Sequence, residues 1–351
     1  MHVVFVISSF KPLVGGGERQ AEEIARTMVK KGHRVTLLTR RVQADWPADE
    51  VLHGAQILRL GSASTKEFGL EATRWIRARH GEIDVVHALQ SFAPLQAATM
   101  GVLGTKIPVF CSPMNGDREL VWMTGPKGIF KRLLYRRVNA WIAKSEPIAV
   151  ALEKFGKPLF RIPNGVDSDQ FVPTPRAVGR RRALFVGRML RPKRVDVLLA
   201  AWRELKPDMN LWLAGDGPLL EEWKGLGDGI DGVQFLGLRS DVPDLMKSSD
   251  YLVFPSDSEG MPNALLEAMA CGLPTMASAV GAIPAMLEGG AGRLVKENTL
   301  EAWRAALQEV LGDDQVASDL GVRARVRVEE RYSLNSTVDQ ILGVYRKFGA
   351  N

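Results

Sequence analysis

Short apolar segments alternate with longer amphipathic segments through the first half of the chain. The apolar segments predict strands at 3–8, 34–39, 56–60, 84–87 and 108–111. The segments between them have helical periodicity. Such alternation is typical of a parallel sheet with helices on both faces. We therefore predict a doubly wound α/β domain.

The same alternation resumes in the second half, after an irregular connecting segment. Residues 162–167 read Ile-Pro-Asn-Gly-Val-Asp, and a run rich in Pro and Arg continues to residue 182. Proline, glycine and asparagine mark turns and connections. We place a domain boundary here, with a first domain at 1–165 and a second at 166–334. Strands of the second domain are predicted at 183–188, from 211 onwards, at 233–237 and at 251–254.

The stretch 255–274 is organised as a loop followed by a short helix. Loop-forming residues at 255–262 follow a predicted strand and lead into an apolar helix at 263–270. The first amides of a helix have no acceptor within it, and such N-termini bind anions. We therefore predict an anion site formed by the amides of Asn263, Ala264 and Leu265.

Two carboxylates flank this predicted anion site, Glu259 in the loop and Glu267 in the second turn of the helix. The neighbours of Glu267 are mostly apolar, and a buried carboxylate needs a partner. The alternative is that Glu267 lies on a solvated helical face. Because carboxylates accept hydrogen bonds from hydroxyl groups, two of them around a phosphate site indicate a nucleotide sugar. We include Gly260, beside Glu259, among the residues predicted to bind this nucleotide sugar.

The spacing Glu259-x7-Glu267, followed by Ala-Met-Ala-Cys-Gly-Leu-Pro and then Val280-Gly281, resembles the EX7E signature of retaining glycosyltransferases of family 4. The resemblance extends along most of the chain. It implies the GT-B fold, in which two doubly wound Rossmann-like domains face each other across a cleft. It further implies a final helix, here 335–351, that crosses back onto the first domain. The implied reaction is sugar transfer from a nucleotide diphosphate sugar with retention of anomeric configuration.

Two cations near the predicted anion site match the phosphate clamp of this family. Arg188 ends a predicted strand, and Lys193 precedes the next helix. Without a metal, fixed cations must neutralise a leaving diphosphate. Arg191 or Arg194 could take the place of Lys193.

The resemblance assigns roles to further residues. It implies that Glu259 holds the hydroxyls of the sugar and that Glu267 holds the ribose. The loop that contains Arg239 lies where relatives hold the base. In the first domain, the loop of Gly15, Gly16 and Gly17 would help to hold the donor diphosphate or the acceptor.

The glycine loop also permits a dinucleotide-binding interpretation. Its three glycines stand before a predicted helix, where backbone amides can approach a ligand. The dinucleotide fingerprint would need a further glycine near Gln20 and an acid after the second strand. Arg40 stands there instead, so NAD is disfavoured and NADP remains an alternative.

His87 ends a predicted strand at the carboxyl edge of the first sheet, where ligands bind in open α/β folds. Relatives carry a His-x-His pair here that reaches the donor sugar, whereas this chain has Leu89 and Gln90. We count His87 as a candidate catalytic residue, with a hydrogen-bonded structural histidine as the alternative. The chain also departs from the usual Gly-Gly-x-Pro-Glu sequence of the family at Ala282 and Ala285.

Asp167 and Asp169 have the spacing of the DxD motif of metal-dependent transferases. They lie in the connecting segment rather than at a strand end, and we interpret them as a turn and a helix cap. We therefore expect no metal and no cofactor besides the donor substrate.

The composition narrows the class of protein. With 351 residues and 46% hydrophobic content, the chain can form two ordinary domains. Cys111 and Cys271 follow no metal or redox spacing and are expected to be buried thiols. No apolar run approaches the roughly 18 residues of a membrane span, and no signal peptide is recognised. We expect a cytoplasmic protein.

The net charge of +6 favours acidic partners. Sequence patterns typical of nucleic-acid binding are missing, so nucleic acid is not expected as a partner. Residues 127–144 combine apolar and basic side chains and predict an amphipathic helix. It is either an ordinary surface helix or a patch that holds the protein at the inner face of an anionic membrane.

Together these patterns predict a hexosyltransferase of cell-envelope or polysaccharide biosynthesis. The donor is expected to be a UDP- or GDP-sugar and the acceptor a saccharide or a lipid-linked molecule. The rivals are a nucleotide-sugar epimerase of the same fold, an NADP-binding oxidoreductase and a non-catalytic basic scaffold at a membrane. The set of Glu259, Arg188 and Lys193 favours the transferase.

Overall fold

The computed structural model describes residues 1–13, 15–114, 135–175 and 179–350. The chain divides into two domains. The first comprises Met1–Gly165 together with Leu334–Asn351, and the second comprises Val166–Ser333.

The first domain is built on an eight-stranded sheet. Its strands are parallel except at one edge, where β3 and β4 form a hairpin through His53 and Gly54, both with positive φ. The order is β3-β4-β2-β1-β5-β6-β7-β8. The strands are β1 His2–Val6, β2 Arg34–Arg40, β3 Asp49–Leu52, β4 Ala55–Leu60, β5 Val85–Ala88, β6 Val109–Cys111, β7 Ala140–Ala143 and β8 Leu159–Arg161.

Helices cover both faces of this sheet. Alternate side chains of β1 point to opposite faces, so Val3 and Phe5 enter one core and Val4 and Val6 enter the other. The first of these cores also contains Tyr345, from the helix at the end of the chain. The helices are α1 Gly16–Lys30, α2 Thr65–Ala78, α3 Ala93–Gly101, α4 Glu146–Glu153 and, from the C-terminal segment, α12 Leu334–Lys347.

The second domain is a parallel six-stranded sheet of order β11-β10-β9-β12-β13-β14. The order reverses between β9 and β12, which is the switch point of a doubly wound sheet. Its strands are β9 Arg182–Val186, β10 Asn210–Ala214, β11 Val233–Gly237, β12 Tyr251–Phe254, β13 Thr275–Ser278 and β14 Arg293–Val295. Its helices are α5 Val195–Leu205, α6 Leu220–Gly227, α7 Val242–Lys247, α8 Asn263–Ala270, α9 Ile283–Met286, α10 Leu300–Leu311 and α11 Asp314–Arg331.

The prediction of two doubly wound α/β domains is confirmed. The five strands predicted in the first domain correspond to β1, β2, β4, β5 and β6. The predicted helix at 127–144 is wrong over Ala140–Ala143, which form β7. Trp141 of this strand is fully buried, because β7 is an interior strand of the sheet. Residues 127–134 of the predicted basic helix lie outside the described residues.

Within the described parts of the chain, none of the helices combines the length and apolar character needed to cross a bilayer. Cys111 and Cys271 are buried thiols, as expected.

Candidate active site

Arg188, Lys193, Glu259 and the start of α8 lie together at the switch point of the second sheet. The loop after β9 carries Arg188 and a short 3-10 turn, Arg191–Lys193, that leads into α5. The loop after β12 carries Glu259 and leads into α8. Because β9 and β12 are adjacent and parallel, their carboxyl ends bring both loops to one edge of the sheet.

The backbone on either side of Arg188 is held by the turn that follows β10. The amide of Met189 donates to the carbonyl of Asp216 at 2.9 Å. Gly215 packs so closely that a Cβ there would lie 1.8 Å from the carbonyl oxygen of Gly187. The side chain of Arg188 is exposed and has no ion-pair partner among the described residues. The turn therefore presents a cation on a fixed backbone.

Lys193 and Glu259 form an ion pair at this edge of the sheet, with the ammonium bonded to Oε1 of the carboxylate. Only 19% and 10% of the two side chains are exposed, so the pair is largely withdrawn from water. The ammonium also lies 4.9 Å from the centre of the Phe254 ring, within range of a cation–π contact. Lys193 rather than Arg194 faces Glu259, because Arg194 pairs with Asp196 and Asp257.

A chain of hydrogen-bonded polar groups, most of them buried, holds the carboxylate of Glu259 in place. The hydroxyl of Ser256 donates to Oε1 of Glu259 at 2.8 Å. The amide of Ser256 donates to the Ser278 hydroxyl at 3.0 Å, and that hydroxyl donates to Oδ1 of Asn298 at 2.5 Å. Asn298 donates in turn to the Ser256 carbonyl at 2.7 Å and accepts from the indole of Trp303 at 2.9 Å. We name Ser256, Ser278, Asn298 and Trp303 the support network.

Sequence reasoning missed the support network. Its members lie in four separate elements or loops, and serine and asparagine are common residues with no motif around them here. Only Trp303 offered an indication in the sequence. It lies in the first turn of α10, which Thr299 caps, and a buried tryptophan needs a hydrogen-bond acceptor for its N–H.

The backbone carbonyls of Glu259 and Gly260 are held by close contacts with Gly281 and Ala282. Gly281 has φ of 57°, and a Cβ there would lie 2.0 Å from the Glu259 carbonyl oxygen. The amide of Ala282 donates to the carbonyl of Gly260 at 3.0 Å. Of the two alanines that depart from the family sequence, Ala282 is therefore buried against this loop, whereas Ala285 is exposed.

Helix α8 begins beside this loop with Pro262 at its N-cap and no side chain capping it. The first amide bonded within the helix is that of Leu266, which donates to the Pro262 carbonyl at 3.4 Å. The preceding amides belong to the first turn, which is where an anion is favoured by the helix dipole. Asn263 and Ala264 are partly exposed, whereas the side chain of Leu265 is buried.

Glu267 is 5% exposed, so the alternative of a solvated helical face is wrong. Its charge contributes, after burial, to raising the pKa of the Cys271 thiol to about 12. Cys271 therefore stays protonated at neutral pH and is a structural thiol.

Arg239 is exposed in the loop after β11 and forms a two-pronged ion pair with Asp241, with contacts of 2.8 Å from Nε and 2.5 Å from Nη2. Its hydrogen bonds to Asp241 raise the pKa of Arg239 and lower that of the carboxyl group. The side chain predicted to lie near a base is thus held by a neighbour on its own loop.

The glycine loop of the first domain starts α1, with Gly15 at the N-cap. A Cβ on Gly17 would lie 3.0 Å from the sulfur of Met114. Glu18 in the first turn accepts a hydrogen bond of 2.5 Å from the Ser9 hydroxyl. This carboxylate lies at the N-terminus of α1, where its charge is favourable, so an anionic ligand at Gly15–Gly17 would have to displace it.

His87 lies in the core of the first domain and is 1% exposed. Its Nδ1 is hydrogen-bonded with the Tyr345 hydroxyl at 2.6 Å and its Nε2 with the Ser112 hydroxyl at 2.8 Å. Burial lowers the pKa of the ring to about 3, so it is neutral. Both nitrogens are engaged within the protein, and the environment is that of a structural histidine rather than a catalytic one.

Asp167 accepts hydrogen bonds at Oδ1 from the amides of Asp169 (3.0 Å) and Gln170 (3.3 Å). This is the geometry of an Asx turn. The carboxylate of Asp167 thus organises the connecting segment locally.

Two family models match the chain. The model for glycosyl transferases group 1 matches residues 180–313, and the model for glycosyltransferase family 4 matches residues 14–170. Together the matches span most of both domains. The chain belongs to glycosyltransferase family 4. It is a glycosyltransferase with the GT-B fold.

Known proteins similar to this transferase agree with the family. A phosphatidyl-myo-inositol mannosyltransferase of Mycolicibacterium smegmatis is 29% identical over 94% of this chain and 90% of its own length. Sucrose-phosphate synthase from Thermosynechococcus elongatus shares the fold, with a TM-score of 0.83 at 19% identity over 99% of this chain and 98% of that one. HepE from Anabaena, solved in complex with UDP and glucose, has a TM-score of 0.78 at 19% identity over 99% of this chain and 100% of that one.

Proposed function

We propose that this transferase moves a hexose from a UDP- or GDP-sugar to a saccharide or lipid-linked acceptor, with retention of anomeric configuration and without a metal. The observation that carries the proposal is the Lys193–Glu259 ion pair, which lies at the switch point of the second sheet beside the start of α8. Ligands of doubly wound sheets bind at such switch points.

In this proposal Arg188, Lys193 and the first amides of α8 bind the donor diphosphate. A helix N-terminus contributes about 0.3–2 kcal/mol to binding an anion, so the two cations carry the larger share. An ammonium group has three donors. Lys193 can therefore keep its bond to Glu259 and still donate to a phosphate oxygen. Two positive charges at the departing diphosphate make a metal unnecessary for neutralising it.

Glu259 binds hydroxyls of the donor sugar and Glu267 binds the ribose. The ion pair and the Ser256 hydroxyl occupy Oε1 of Glu259, which leaves Oε2 for the sugar. In the proposed front-face reaction, the leaving phosphate accepts the proton of the acceptor hydroxyl as the glycosidic bond forms. The protein then contributes placement and charge rather than a general base.

The names of similar proteins support the two substrate classes. HepE was solved with UDP and glucose, which supports a nucleotide-sugar donor. The mycobacterial relative is named for a phosphatidyl-myo-inositol acceptor, which supports a lipid-linked one. The net charge of +6 is suited to work at the anionic inner face of a cell membrane, in cell-envelope or polysaccharide biosynthesis.

Calorimetric titration of the protein in EDTA with UDP, GDP, ADP and NADPH tests the donor site. We expect saturable binding of UDP or GDP that is weakened at least tenfold in Lys193→Ala and in Arg188→Ala. Lys224→Ala is the matched control, since Lys224 is an exposed lysine of the same domain paired with Glu221. Binding of NADPH alone would contradict the proposal and favour the oxidoreductase.

Product analysis separates transfer from epimerisation. A transferase releases the nucleoside diphosphate faster when an acceptor is present, whereas an epimerase converts the donor alone into its epimer. Formation of an epimeric nucleotide sugar from UDP-glucose without acceptor would therefore contradict the proposal, and faster release of UDP on adding an acceptor would support it.

A further inference from the structure

A cavity of about 690 Å³ opens in the first domain, outside the residues assigned to the donor. It lies between α2 and α3, at the carboxyl ends of β1, β2 and β5. Ser8, Arg40 and Gln90, which follow or end these strands, line it. The strand order of the first sheet reverses between β1 and β5, so the cavity occupies a switch point of its own.

The guanidinium of Arg40 is anchored on one side and unpaired on the other. Its Nη1 donates to the Ala63 carbonyl at 2.9 Å and to the Thr65 hydroxyl at 3.2 Å. Its Nε is buried without a partner, and its Nη2 has none among the described residues. Nε and Nη2 form the edge with which arginine binds two oxygens of one phosphate or carboxylate.

Gln90 supplies a second donor at the same cavity. It is 8% exposed, and its Oε1 accepts a hydrogen bond of 3.0 Å from the amide of Ser8. This bond fixes the carboxamide so that the oxygen faces the backbone. Its Nε2 has no partner among the described residues, and it belongs to a side chain that lines the cavity.

The wall of the cavity is positive on one side and apolar on another. Among the described lining residues the charged ones are Arg40 and Lys66, and none is a carboxylate. Leu70 and Met100 supply apolar surface, and Leu70 is 52% exposed. An anion with an adjoining apolar part matches these two sides.

We propose that this cavity binds a phosphate group of the acceptor substrate, with Arg40 and Gln90 donating to its oxygens and Lys66 adding charge. The apolar part of the acceptor lies along Leu70 and Met100. The inference rests on the proposed transfer to an acceptor and adds the chemistry by which the acceptor is recognised. The phosphate belongs either to a soluble phosphate ester or to a lipid headgroup.

The test compares two charge changes on neighbouring elements. Arg40→Gln removes the unpaired edge, whereas Arg74→Gln removes an exposed arginine of α2 that lies outside the cavity. The probes are sn-glycerol 3-phosphate, titrated by calorimetry, and vesicles of phosphatidylcholine with or without phosphatidylglycerol, in a sedimentation assay. We expect Arg40→Gln to weaken binding of at least one probe about tenfold or more, and Arg74→Gln to leave it unchanged.

Gln90→Glu is a second variant that preserves the acceptor for the Ser8 amide and adds a negative charge to the cavity. It should also weaken binding tenfold, and its thermal midpoint shows whether the fold is kept. If the variants bind sn-glycerol 3-phosphate more weakly, the phosphate belongs to a soluble ester. If they bind phosphatidylglycerol vesicles more weakly, it belongs to a lipid headgroup. Equal binding by the wild type, Arg40→Gln and Gln90→Glu, or no binding of either probe, would overturn the inference.

Nucleotide titration keeps this inference separate from the donor proposal. Arg40→Gln should bind UDP or GDP as the wild type does, because Arg40 belongs to the first domain. A wild type that binds phosphate probes but no nucleotide would refute the donor site and leave the cavity standing. If the wild type binds nucleotide, but the wild type and Arg40→Gln bind the phosphate probes equally, the proposed phosphate site in the cavity would be refuted and the donor site would stand.

Discussion

The hydroxyl of Ser256 donates a 2.8 Å hydrogen bond to the same carboxylate oxygen of Glu259 that pairs with Lys193. Ser256 is fully buried, and its hydroxyl also lies 3.0 Å from the carbonyl of Pro192, in the turn that carries Lys193. One small side chain thus connects the two loops that meet at the switch point. The position of the Glu259 carboxylate therefore depends on the buried Ser256 as well as on Lys193.

Ser256→Ala should lower kcat about ten- to a hundredfold, because a hydrogen bond to a charged group contributes about 1.5–3 kcal/mol. The affinity for UDP or GDP should change little, since Ser256 does not face the diphosphate in our proposal. Steady-state kinetics and calorimetry measure the two effects. Ser249→Ala is the control, as Ser249 is also buried in this domain but bonds to the Leu245 carbonyl. Equal kcat values for the two variants would contradict the prediction.

Glu259→Gln should abolish detectable transfer while nucleotide binding persists. Glutamine can still accept the Ser256 hydrogen bond, so the loop is preserved, but the charge that pairs with Lys193 is gone. The released ammonium is then fully available to the diphosphate, and we expect nucleotide affinity to stay equal or rise. Transfer at the wild-type rate would mean that the sugar site is wrongly placed.

Asn298→Asp should destabilise the second domain by about 1–3 kcal/mol, because it replaces a donor to the Ser256 carbonyl with a second acceptor. It also sets a carboxylate against Asp257, to which Asn298 now donates at 2.8 Å. Urea unfolding measures the change. Asn335→Asp makes the same replacement at an exposed position and should stay within about 0.5 kcal/mol of the wild type.

Gly281→Ala should damage both stability and transfer. The backbone at Gly281 has positive φ, and the added Cβ would meet the Glu259 carbonyl. Gly289→Ala separates the strain of positive φ from the steric clash. Gly289 has φ of 75°, but no atom lies within 4 Å of a Cβ built there. We expect about 1 kcal/mol of destabilisation from the backbone alone, a larger loss at Gly281, and loss of transfer only there. Normal kcat in Gly281→Ala would show that the loop tolerates displacement.

The free energy of unfolding should fall as the pH drops below 6.5, partly because of His87. Its pKa is lowered to about 3 in the folded protein from 6.5, so the unfolded chain takes up a proton first. Stability from this group is present above pH 6.5 and is lost down to about pH 3. Between pH 7 and 5.5 the loss is about 1 kcal/mol. Urea unfolding of His87→Gln should show a shallower pH dependence than that of exposed His80→Gln, and parallel curves would contradict the burial argument.

The fold was predictable because β1, β2, β4, β5 and β6 are compact apolar runs with clear breaks between them. β7 was not, because Ala140–Ala143 follow a segment whose basic and apolar residues repeat with helical spacing. Only pairing with β6 and β8 makes these residues a strand. Long-range pairing of this kind leaves no local trace in the sequence.

Some residues of the candidate site stood out in the sequence because their type is unusual in its place. Glu267 among apolar neighbours and Glu259 in a loop before a helix both drew attention by their chemistry. Ser256 and Asn298 did not, since their role depends on atoms that the fold brings together. The surroundings of His87 could not be predicted for a related reason: a strand end indicates a ligand edge, but Tyr345, whose hydroxyl is hydrogen-bonded to this ring, is 258 residues away.

The first domain is completed by a helix from the far end of the chain. Tyr345 of α12 fills its core, whereas the second domain is one continuous segment, Val166–Ser333. During synthesis the ribosome therefore completes the second domain before it makes α12, which contributes to the core of the first domain. N-terminal domains generally fold first during synthesis, but in this protein we expect the second domain to fold before the first, whose core is complete only once α12 has been made.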